Sequence, residues 1–99
     1  MSLRSEAKLV VNFIKEGKQV VAYSPALDIS TVGKDEAQAK RRFEELLHIF
    51  IKDITERNVV DDVLTELGWT KGAVHTKNTR PQWIPPVVKS IDLQVPIMA

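Results

Sequence analysis

Three observations predict an α+β fold, an antiparallel three- to four-stranded sheet covered by one long helix in the order β-β-β-α-α-β. Lys8–Lys15 and Lys18–Tyr23 are β-rich apolar runs separated by Glu16-Gly17, the composition of a tight hairpin. Pro25 and Gly33 bracket a third, short β-branched run, Ile29–Val32. From Glu36 to about Arg57, the apolar positions Ala39, Phe43, Leu46, Leu47, Phe50 and Ile54 mark one face of a 3.6-residue period. A helix that follows a hairpin so closely lies back across the sheet to bury that stripe.

Each element has a local cause. In the first strand Leu9, Val11 and Phe13 alternate with Val10 and Ile14, and Gly17 supplies the positive φ of the turn. In the second, Val20 and Ala22 face opposite to Val21 and Tyr23, so both faces of the hairpin are apolar. The long helix covers one face, and a second helix or a second subunit is expected on the other, with a homodimer favoured. Pro25 has no N–H to donate and ends the second strand at Ser24. Gly33 turns the chain. Asp35 is placed to cap the long helix, with Gln38 three residues on as its capping-box partner. Ile49 and Ile51 flank the apolar stripe, and Leu47 stands at its centre. Asn58 is expected to break this helix and cap the next, which runs from about Val59 to Leu67 and stops at Gly68, with Trp69 against Leu64. Lys71–Pro86 has no periodicity and reads as a loop. Val87–Val95 alternates and reads as a last strand, on an edge or exchanged with another subunit, closed by Pro96.

The 99 residues suit one domain, residues 1–99, above the ~70–80 below which one core rarely suffices without staples. With no cysteine there are no disulfides, thiolate metal sites or thiol nucleophile. No secretory signal or ~20-residue apolar span is present, so a soluble cytoplasmic chain is expected. The net charge of +1 divides into +2 for residues 1–34, −4 for 35–69 and +3 for 70–99. A nucleic-acid binder of this size usually shows a basic excess over a whole element, and here the helices are acidic.

The ordered combination Val20-Val-Ala-Tyr23, Pro25-Ala-Leu27, Gly33, Asp35 and Gln38-Ala39, with Gly68-Trp69 after a Val/Leu-rich helix, resembles the HicB-like antitoxin family. The likeness is strongest over residues 8–69, about 60% of the chain, with residues 70–99 adding a loop and C-terminal strand. Asp35 stands at the family's usual Thr. Ile29 stands where a glycine often follows Pro-x-Leu-x. Four prolines and no helical period follow Trp69, so the C-terminal DNA-binding module of many relatives is not expected. The resemblance implies a partial ribonuclease-H-like domain that neutralises a small HicA-type messenger-RNA-cleaving toxin by protein–protein contact. It also implies that the chain is not an enzyme.

The residues point the same way. Metal carboxylates would be drawn from Asp28 and Asp92, too few for a Mg²⁺ site. His48 beside the apolar stripe reads as a helix-surface histidine, and His75 has no acid near it in sequence. No catalytic residue, metal ligand or cofactor is assigned. The candidate partner or nucleic-acid contacts are Lys40, Arg41, Arg42, Lys71, Lys77 and Arg80. The first three interrupt Glu36, Glu44 and Glu45 on the helix exterior, ordinarily a solvated face. The others lie near Trp69 and Trp83, an arrangement able to stack single-stranded RNA, although two packed tryptophans with solvating charges are the plainer reading. The alternative function is therefore a nucleic-acid-binding regulator, ribbon-helix-helix-like or RNA-binding. Against it, Ile29–Val32 lacks the side chains that read base edges.

Overall fold

The structure, a computed structural model, describes residues 8–72 and 82–97. Strands β1 (Asn12–Glu16), β2 (Gln19–Ser24) and β3 (Ile29–Gly33) form an antiparallel sheet in the order β1-β2-β3. Helices α1 (Glu36–Glu56) and α2 (Val60–Glu66) follow, and β4 (Thr70–Lys71) pairs with β5 (Trp83–Ile84) in a second, two-stranded sheet. The α+β class and the β-β-β-α-α-β order hold, with β4 as an additional short strand.

Local chemistry explains the boundaries. Glu16 pairs with Gln19 across a two-residue turn, and Gly17 takes φ +60° in the first turn position, which a type II′ turn reserves for glycine. The β1 ladder begins at the Asn12–Tyr23 pair rather than at Lys8. One step beyond Ser24 the partner strand reaches Pro25, which has no N–H to give, so the residues before Val11 run out of partners.

Helix α1 starts as its cap residues dictate. Asp35 Oδ1 accepts from the Gln38 amide at 2.8 Å, and Gln38 Oε1 accepts at 2.8 Å from the Lys34 amide, one residue outside the usual capping-box partner. Both helices end alike. Asn58 takes φ +56° and Gly68 φ +93°. In each case the next amide (Val59, Trp69) returns to the carbonyl five residues back (Ile54, Leu64), which closes a Schellman motif. Asn58 thus breaks α1 but does not cap α2, whose N-cap is Val59 and has no side-chain bond.

Two apolar clusters make the core. Ala22, Ala39 and Phe43 join α1 to the sheet, while Ala26, Leu27, Leu64, Trp69 and Trp83 fill the end beneath α2. Leu9, Ile29 and Leu47 pack against both clusters and tie them together. The Pro25-Ala-Leu27 loop plugs the second cluster. Buried Ser24 shapes it, its Oγ accepting from the Leu27 amide at 3.3 Å and its carbonyl from the Asp28 amide at 2.8 Å. The left-handed residue here is Asp28 (φ +54°), one position before Ile29, and Asp tolerates that region better than most side chains.

The segment Val87–Val95 forms no strand. The last strand lies upstream at Trp83–Ile84, inside the stretch expected to be loop, and residues 87–97 are all exposed without regular structure. Alternation makes a segment fit for a strand, but a strand exists only with a ladder partner, and none lies beside this one among the described residues.

Candidate binding surface

Helix α1 packs over β2 and β3, and β1 is left outside it. Every residue of β1 is exposed, including Phe13 and Ile14. On the sheet face away from α1, the register lines Ile14, Val21 and Val32 into one row across three strands. Tyr23 stands beside that row, flanked by Asn12 and Ser30. Neither α2 nor any other described element covers this face. Tyr23 donates its phenol to Asp28 Oδ1 at 3.2 Å. That hydrogen bond, followed by desolvation and the carboxylate's charge, holds its pKa above the ordinary 10.0.

The outer edges of the sheet differ. At β3, Arg42 on α1 donates to the Val32 carbonyl at 2.8 Å, so one unpaired edge group is satisfied. No such tie reaches β1 among the described residues. The outward side of α1 forms a second surface, where a shallow open depression is lined by Glu44, Glu45, His48 and Ile49. Ile49 is 64% exposed, which makes it the most solvent-facing large apolar residue of the helix. The sequence signal was its position outside the Ala39–Ile54 stripe.

Among the described residues, the sequence candidates do not converge on one site. Lys40, Arg41 and Arg42 are exposed on the first half of α1, and Arg42 is engaged with Val32. Lys71 is paired with Asp61 at 2.8 Å and sits 5.3 Å from the centre of the Trp83 ring, a cation–π contact. Trp69 and Trp83 are buried, and Trp69 Nε1 donates to the Ala26 carbonyl at 2.8 Å. Both rings are part of the core rather than a platform for bases, with Lys71 held over the face of Trp83. Lys77, Arg80 and His75 lie outside the described residues. Among the described residues no three His, Cys, Asp or Glu side chains gather into a metal-holding group, and no helix is long and apolar enough to cross a membrane.

No family model matches the chain. No curated protein and no solved structure matches it either.

Proposed function

We propose that this chain is a HicB-like antitoxin, a non-catalytic binding module that neutralises a small basic HicA-type RNA-cleaving toxin by protein–protein contact. The ordered sequence resemblance supports the reading, and each residue that carries it has a part in the fold. Pro25-Ala-Leu27 forms the core plug, Gly33 lies under the helix, Asp35 and Gln38 cap α1, and Gly68-Trp69 closes α2. The acidic and apolar depression on α1 suits a basic partner, with Glu44 and Glu45 beside exposed Ile49.

The test is co-expression with the small toxin-like product of a neighbouring reading frame. A co-purifying complex and restored growth are expected. An active toxin that shows no binding to this chain would sink the proposal. In a complex that does form, the E44K/E45K double variant should associate about tenfold more slowly, and the difference should shrink as salt rises. A salt-sensitive, sequence-specific gel shift with upstream DNA, by the chain alone, would instead favour the nucleic-acid regulator.

A further inference from the structure

The chain carries two unsatisfied features of matching shape. One is the bare edge strand β1 with the apolar row Ile14-Val21-Val32 on the open sheet face. The other is residues 87–97, wholly exposed and alternating, with Lys89, Ile91, Leu93 and Val95 on one side and Val88, Ser90, Asp92 and Gln94 on the other. Among the described residues, six of the thirteen exposed large apolar side chains lie on this arm, a load that a monomer leaves in water at substantial cost.

We propose that the arm of one copy adds as an antiparallel strand to β1 of a second copy, and that the exchange is mutual. The register follows from the side chains. Setting Ile91 opposite Ile14 places Lys89 opposite Glu16, Leu93 opposite Asn12 and Val95 opposite Val10. Ile91 then extends the row Ile14-Val21-Val32 by one strand, and Leu93 reaches towards Tyr23. A cation meets a carboxylate at one end of the ladder and valine meets valine at the other. The polar side of the arm falls on the α1 side of β1, which α1 leaves open, and there Asp92 lies diagonal to Lys15.

The arm's exit also favours exchange over a return to its own sheet. Pro85-Pro86 precedes it, and Pro86 packs against Gly68, which pins the start of the arm to the end of α2. No glycine follows Gly72, so the arm lacks the residue that most readily reverses a chain. The Cα radius of gyration is 16.9 Å, against about 13 Å for a compact chain of this size, as expected when a segment stands off the body. Mutual exchange between twofold-related copies closes the contact and leaves no arm over.

The inference stands apart from the toxin, because it is tested on the chain alone. Sedimentation of the full chain should give the mass of two copies, and Ile91→Asp and Ile14→Asp should each return it to one copy with the helical circular dichroism signal retained and only the strand contribution of the arm lost. A chain that sediments as one copy at high micromolar concentration overturns the proposal, as does a dimer indifferent to both substitutions. The absence of native cysteine makes register testable. Mixed single variants Glu16→Cys and Lys89→Cys should oxidise to a mixed dimer faster than Lys15→Cys with Lys89→Cys, whose residues point to opposite faces. Equal rates, or a Glu16→Cys/Lys89→Cys double variant that closes within one chain, would refute it.

Discussion

Gly33 illustrates what a single side chain would do to this fold. A Cβ built there would stand 2.4 Å from the Ala39 amide nitrogen and 2.8 Å from its Cα, both backbone atoms. Gly33→Ala therefore forces α1 off the sheet and should cost about 3 kcal/mol or more, read as a lowered denaturant midpoint. The turn expected at Gly33 falls one residue later, at Lys34-Asp35, because Gly33 still pairs with Val20 as the last residue of β3, and the close approach that needs a glycine there cannot be seen along the chain. Asp35 was fully legible, since its cap is local. Asp35→Ala should cost about 1 kcal/mol in the same measurement. Tyr23 adds a pH dependence. Its folded pKa lies above the unfolded value because the neutral phenol donates to Asp28. That contribution is whole below the unfolded value near 10.0 and disappears as pH rises through the folded value, because the unfolded chain gives up the proton first. Tyr23 is the one tyrosine, so phenolate absorbance follows it alone. Asp28→Asn should lower the titration midpoint towards 10.0 while keeping the left-handed turn.

Among the elements, α1 was the most readable and the tail the least. The helix boundaries came from capping and period, both of which are local. The start of β1 came out four residues late, because its length is set by Pro25 on the neighbouring strand. The energetic centre of α1 also lies elsewhere than its apolar stripe suggests. Leu47 is only half-buried, between the two clusters, whereas Phe43 and Ile54 are 3% and 1% exposed. Phe43→Ala should therefore cost about 3–5 kcal/mol and Leu47→Ala nearer 1–2 kcal/mol in chemical unfolding. A reversed ranking would mean that Leu47 becomes fully buried in an assembly.

At the scale of the molecule, the sequence revealed a two-faced sheet and a two-sided tail, but not that the structure leaves one sheet face, strand β1 and the tail in solvent. Apolar content can be read along the chain, but what covers it depends on where α1 comes to rest, over β2 and β3 rather than β1. The described basic candidates, Lys40, Arg41, Arg42 and Lys71, lie apart for the same reason. Lys71 looked available beside two tryptophans, yet Asp61 on α2 and the face of Trp83 hold it.

The placement of those tryptophans also determines what an optical experiment would see. Both rings belong to the cluster beneath α2, and the cluster that joins α1 to the sheet has none. Intrinsic fluorescence therefore reports on one end of the protein, while far-ultraviolet circular dichroism is dominated by α1. Leu9, Ile29 and Leu47, which touch both clusters, couple these two reporters together with Phe50 of α1, which packs against the tryptophan cluster. With the link intact, the two signals should lose structure at one midpoint. Trimming Ile29 to alanine should pull them apart and turn a cooperative protein into two optically distinct halves.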